Sequence, residues 1–136
     1  MKLAGEKIIH AHVTETGESA FAVDIEVSSH HIKGDEPLES GGENLGPSPF
    51  DMLLAALGEC TTMTVRWYAE RQTWPLDKVE VKLTHHKENK VDTYTKQVIL
   101  HGDQLTEEQR AKLLDVAAKC PVQRALEGTP VISTTL

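Results

Sequence analysis

At 136 residues and 15.0 kDa, the chain has the length of one compact domain of about 100–200 residues. Apolar residues make up 39% and charged residues 26%, a soluble globular balance that excludes wholesale disorder and fibrous repeats. Fourteen basic residues against twenty-one acidic give a net charge of −7, and aromatics are only 4%. That charge repels a phosphate backbone, and there are too few rings to stack bases, so nucleic acid and anionic membrane are excluded as partners.

In chain order, residues 7–13 alternate with Ile9, Ala11 and Val13 on one side and His10 and His12 on the other. After Thr16-Gly17, residues 20–27 alternate again, with Phe21, Val23, Ile25 and Val27 together. Two period-two runs about a glycine turn predict a hairpin with one buried face. Residues 30–33 add a short strand. Residues 34–49 hold four glycines, three prolines and four acids, a long loop of the kind that tends to be functional.

A helix is predicted from Ser48, with Pro49 in its first turn and Asp51 near its positive end, continuing to about Gln72. Leu53, Ala56, Leu57, Cys60, Met63, Thr64 and Trp67 form one stripe at steps of three and four. Met52, Leu54 and Ala55 make the first half apolar all round, the pattern of a helix enclosed on every side. A domain this small does not wrap such a helix alone, so a partner subunit is expected over part of it. Residues 78–86 and 94–101 read as two strands across a polar stretch at 87–92. Thr106 opens a capping box to Gln109, and that helix runs to Lys119. Pro121 starts a short helix stopped by Gly128, and residues 130–134 suit a last edge strand. The expected fold is a single α+β domain over 1–136.

The longest nearly apolar run, 52–57, falls far short of the roughly 20 residues that cross a bilayer. With no apolar leader near the start, a cytoplasmic location is expected. Cys60 and Cys120 are too few for a disulfide framework and match no zinc spacing. Cys60 sits on the apolar stripe, where cysteine commonly serves as a core residue. Cys120 directly precedes Pro121 at an N-cap, where a thiolate is stabilised. A reactive Cys60 would need a cation or donor beside it. Of seven histidines, His10 and His12 share a strand face, but no third metal ligand accompanies them, so no metal site is expected. Glu59 is either a proton relay beside Cys60 or the partner of an interface donor.

The segment GPSPFDMLLAALGECTTMTVRWYAERQTWPLDKVEV, followed about sixty residues later by KCPVQRAL, resembles the osmotically induced protein C and organic hydroperoxide resistance family (OsmC/Ohr). The loop before it and the upstream hairpin resemble the OsmC-like branch. The resemblance implies an intertwined homodimer and a cofactor-free thiol peroxidase. It implies Cys60 as the thiolate that attacks an organic hydroperoxide and Cys120 as the resolving thiol. The disulfide they form is reopened by a dithiol reductant, lipoyl-type or a small thiol. The resemblance makes Asp51 the candidate catalytic acid, one residue later than the acid of the hydroperoxide-resistance members, whose place here is Phe50, and at the position the OsmC-like branch often uses. Phe50 and Met63 are the expected substrate-binding residues. The family's N-terminal arginine is missing: no arginine precedes Arg66, leaving Lys7, His10, His12, Arg66 and Arg124 as stand-ins. Two functions therefore stay open: a hydroperoxide reductase of the antioxidant stress response, or a scaffold that binds an apolar small molecule with weak or no peroxidase activity.

Overall fold

The computed structural model describes residues 7–136. They form three α-helices and two antiparallel sheets, an α+β architecture. The chain gathers into two compact units whose boundary falls at Leu53/Leu54, within the first helix.

In the first unit, β1 (Ala11–Glu15), β2 (Val23–Val27) and β3 (His30–Gly34) form a meander. Ala11 pairs with Val27 and Val23 with Gly34. β1 starts four residues later than the alternation predicts, because residues 7–10 run past the Ser28-Ser29 turn that ends β2. Ser28 takes a positive φ of 53°, as a two-residue hairpin turn requires of its first residue. The expected buried face is only half covered. Val23, Ile25 and Val27 are half-buried, whereas β1 is open along its length and Val13 and Phe21 are 55% and 52% exposed.

The glycine- and proline-rich segment is folded around a residue that its composition does not single out. Asp35 is buried, and its carboxylate accepts hydrogen bonds from the Ser19 hydroxyl (2.9 Å) and from the amides of Glu36 (2.8 Å), Glu43 (3.1 Å) and Leu45 (3.2 Å). The segment also contains a 3₁₀ turn at Leu38–Ser40. Burial works against the Asp35 charge, but the hydroxyl and the three amides outweigh it and hold the carboxyl below its usual range. Asp35→Asn replaces an acceptor oxygen with a donor facing amides, and a fall in Tm of about 5 °C is expected. Because its folded pKa is depressed, the wild-type advantage is present above pH of about 4 and lost as pH falls through the depressed pKa. Thermal melts of both proteins across acidic pH check this: the two Tm values converge in acid, and parallel curves would refute it.

Helix α1 (Pro49–Arg71) begins where predicted. Ser48 and Asp51 exchange hydrogen bonds between side chain and amide at its start (2.9 and 3.3 Å). It ends in a Schellman motif, with the Trp74 amide donating to Ala69 O (2.9 Å) and that of Thr73 to Glu70 O (3.1 Å). Thr73 takes the left-handed position usually given to glycine (φ 55°).

In the second unit, β4 (Lys78–Glu88) and β5 (Val91–His101) form a long hairpin, Lys78 pairing with His101 and Glu88 with Val91. The polar stretch expected as a loop is ladder almost to its tip. Asn89 and Lys90 alone make the turn, both at positive φ (52° and 65°), the geometry of a primed turn that matches strand twist. Arg110 fastens the ladder's end by donating to Leu100 O (2.9 Å) and Gly102 O (2.6 Å).

Helix α2 (Glu107–Ala117) carries the predicted capping box, and α3 (Pro121–Glu127) follows with Cys120 as its N-cap. The core joins Val65, Ala69, Leu76, Leu105, Leu113 and Ala117, with Tyr68, Trp74, Val79, Val98 and Leu100 packed against it. The expected strand at 130–134 does not form. Val131 and Ile132 are 97% and 84% exposed, and no strand among the described residues pairs with them. Among the described residues, no helix is long and apolar enough to cross a membrane.

Candidate functional site

The buried stripe of α1 is turned about one residue from the predicted one. Leu57, Gly58, Thr61, Thr64, Val65 and Ala69 are buried, while Cys60 is half-buried and Met63 is 46% exposed. Two features explain the turn. Gly58 lets Leu83 of β4 approach so closely that a Cβ on Gly58 would stand 2.6 Å from the leucine methyl. Thr61 and Thr64 enter the interior because each hydroxyl donates to the carbonyl four residues earlier, Leu57 O at 2.8 Å and Cys60 O at 2.7 Å. The enclosure expected of the helix's first half is incomplete within one chain, since Ala55 and Glu59 are exposed.

Cys60 and Cys120 are brought together, and both are free thiols. Cys60 Sγ accepts from the Val122 amide at 3.5 Å and lies 4.0 Å from Thr64 Oγ1. Cys120 is fully buried, with its sulfur 3.4 Å from Thr61 Oγ1. Burial pushes the Cys60 thiol above its ordinary pKa. The Val122 amide pulls the other way, and the adjacent Cys120 adds to the rise.

The cation beside this pair is Lys96 of β5. Its Nζ donates to Thr61 Oγ1 (2.9 Å) and to Ala117 O (2.7 Å). Burial lowers the pKa of its amine, opposed by Cys120, Cys60 and Glu127 in that order. Sequence reasoning passed over Lys96, although a signal was present. Tyr94, Lys96, Val98 and Leu100 share strand parity, and Val98 and Leu100 face the core, so a lysine among them has to be turned inward. Lys96 also lines a groove of about 650 Å³, with Leu57, Val98, Leu114 and Leu126 among its walls and Glu127 at its edge.

The other candidates have surroundings of their own. Asp51 is engaged with Ser48 at the start of α1, nine residues before Cys60. Phe50 is 49% exposed. Arg66 donates to Leu76 O (2.8 Å) and Asp77 O (3.2 Å), which ties α1 to the entry of β4. Arg124 is exposed, as are Lys7, His10 and His12. His85 lies 2.8 Å from Asp92 and stacks on Tyr94, and His101 lies 3.5 Å from Glu80. Among the described residues, no three His, Cys, Asp or Glu side chains converge as a metal site.

A mixed α+β fold with a mid-helix cysteine facing a Cys-Pro helix start defines an OsmC-type protein, and comparison with known proteins agrees. The sequence matches the OsmC-like protein family over residues 41–135, and the chain belongs to that family. Its fold is similar to an OsmC-like protein from Mycoplasma pneumoniae (TM-score 0.76, 17% identity, 91% of this chain and 90% of that one). It is also similar to an organic hydroperoxide resistance protein from Legionella pneumophila (0.67, 18%, 92% and 93%) and to the organic hydroperoxide resistance protein OhrB of Bacillus subtilis (0.62, 16%, 91% and 93%). At these identities the likeness establishes the fold. No curated protein matches the sequence significantly.

Proposed function

We infer that this protein is a thiol-dependent peroxidase that reduces organic hydroperoxides through Cys60 and Cys120. The observation that carries this reading is the meeting of two free thiols sixty residues apart, one half-buried and the other sealed beneath it. The half-buried thiol is the one a substrate reaches, so Cys60 takes the attacking role. Its thiolate forms a bond to the distal oxygen of ROOH as the O–O bond breaks. The alkoxide leaves as the alcohol after taking a proton, and Cys60 becomes a sulfenic acid. Cys120 then displaces that oxygen as water, and the sulfurs join. A dithiol reductant, lipoyl-type or a small thiol, reopens the disulfide by exchange and is itself oxidised. Phe50 and Met63, both exposed apolar side chains, suit contact with the alkyl portion, and Asp51 is the candidate acid. A homodimer is supported by the apolar side chains one chain leaves open, Ile8, Ile9, Val13 and Phe21 among them. Two cysteines, too few for a disulfide framework, suit a reducing cytoplasm.

The test is consumption of tert-butyl hydroperoxide with dihydrolipoamide, together with mass analysis for a Cys60–Cys120 crosslink. Turnover well above that of free cysteine is expected, and a rate no faster than free cysteine overturns the reading. The apolar groove favours a second reading, a scaffold that binds an apolar small molecule, and that outcome would leave it standing. The raised Cys60 pKa adds a pH prediction. Below that pKa the thiolate fraction, and with it the peroxide rate constant, grows about tenfold per pH unit. Rate constants under limiting peroxide should therefore climb steadily from pH 6 to about 8, whereas a flat profile would mean a thiol already ionised.

A further inference from the structure

We propose that Lys96, acting through Thr61, is a positioning residue that readies Cys120 for attack on oxidised Cys60. The proposal rests on the peroxidase reading above and adds a part to it. Thr61 Oγ1 sits between the amine and the sulfur, 2.9 Å from Lys96 Nζ and 3.4 Å from Cys120 Sγ. Its single proton has two acceptors in reach. It goes to Leu57 O, at 2.8 Å, while Cys120 is a thiol. It turns to the sulfur when Cys120 is a thiolate, and the oxygen accepts from Lys96 in both states. Lys96 cannot swing away, because Ala117 O holds a second of its protons at 2.7 Å.

The charge therefore works at short range from a half-buried lysine on the groove wall, where a nearby cation favours the anionic form of its neighbour. The ionisable groups around it are Cys60 on α1, Cys120 at the start of α3 and Glu127 near that helix's end, with Asp92 on the groove wall. Burial depresses the amine's own pKa while the anions oppose that shift, which is the behaviour of a lysine enclosed with partner thiols. In the resolving step the Cys120 thiolate forms the S–S bond and the S–O bond of the Cys60 sulfenic acid breaks. The hydroxide expelled and the proton given up by Cys120 make one water, so no other reactant is consumed. Speed matters because a second peroxide carries the sulfenic acid to the irreversible sulfinic form.

Two measurements on the full chain test this. In the first, one equivalent of tert-butyl hydroperoxide is added and the Cys60 sulfenic acid is trapped over time with a cyclic 1,3-dione. Lys96→Met and Thr61→Val should lengthen its lifetime about tenfold, a larger effect than either has on peroxide attack. Lys96→Arg should restore most of the speed. Lifetimes equal to wild type in either Lys96→Met or Thr61→Val overturn the proposal, as does equal slowing of both steps. In the second, the Cys60–Cys120 disulfide is formed with diamide and its opening by thiol exchange is followed, a small thiol attacking the half-buried Cys60 with Cys120 as the leaving thiolate, so that no peroxide chemistry is needed. Loss of the Lys96 amine should slow exchange about tenfold, and an unchanged rate overturns the coupling. If wild type forms no sulfenic acid while exchange still depends on Lys96, the peroxidase reading fails and the Lys96–Cys120 coupling stands.

Discussion

Replacing Cys60 with serine is expected to reduce peroxide consumption by at least about a thousandfold, to the level of protein without the thiol. The attacking species in such chemistry is a thiolate, and a serine hydroxyl at the same place is not ionised and has no base aimed at it. Cys60 receives one backbone donor, the Val122 amide at 3.5 Å, and has Cys120 beside it. Serine keeps the volume and loses the nucleophile, so the fold should survive while the chemistry does not. Cys120→Ser should give a different pattern. The first turnover proceeds, the sulfenic acid persists, and excess peroxide converts it to sulfinic and sulfonic forms visible by mass. The two variants separate attack from resolution. A Cys60→Ser protein that still consumes peroxide at the wild-type rate would sink the assignment.

Leu113→Ala should be the most damaging single truncation in the core. Leu113 is completely buried and is the largest of the fully buried side chains. It packs in a cluster with Val65, Ala69, Leu76, Leu105 and Ala117, so its loss leaves a cavity between α1 and α2 that close packing cannot fill. A cost of about 3 kcal/mol is expected, a large share of a typical stability of about 5–15 kcal/mol. The urea midpoint should fall accordingly at unchanged slope. Leu114, next along the chain and 58% exposed, should cost less than about 1 kcal/mol when truncated. Equal losses at the two positions would show that the cluster does not carry the stability assigned to it. Leu113→Ala also loosens the helix whose Ala117 carbonyl holds Lys96, so the resolving step should slow with it.

The parts of the site that were legible in the sequence were those with local causes. Ser48-Pro49 starts α1, Thr106 and Gln109 cap α2, and Cys120-Pro121 starts α3, because each signal is satisfied within one turn of backbone. The parts that were missed depend on contacts between distant segments. The one-residue turn of the α1 stripe depends on Leu83 reaching Gly58 from β4. Asp35 is a loop acid like its neighbours until Ser19, sixteen residues away, donates to it. The candidate replacements for the family arginine lie near the N-terminus and on helices in the sequence, whereas the cation beside the thiols comes from β5. Residues 130–134 have strand-forming composition, but nothing among the described residues offers them an edge.

Hydrophobic period and helix caps determined most of the elements from the chain alone, since each is a preference a short segment satisfies by itself, and the resemblance carried by the Cys60 helix and the Cys-Pro step pointed to the family. Which sulfur is buried, which side chain supplies the positive charge, and which acid is sealed in a loop were decided only in three dimensions. Burial and charge pairing are properties of neighbours, and folding brings those neighbours from far along the chain.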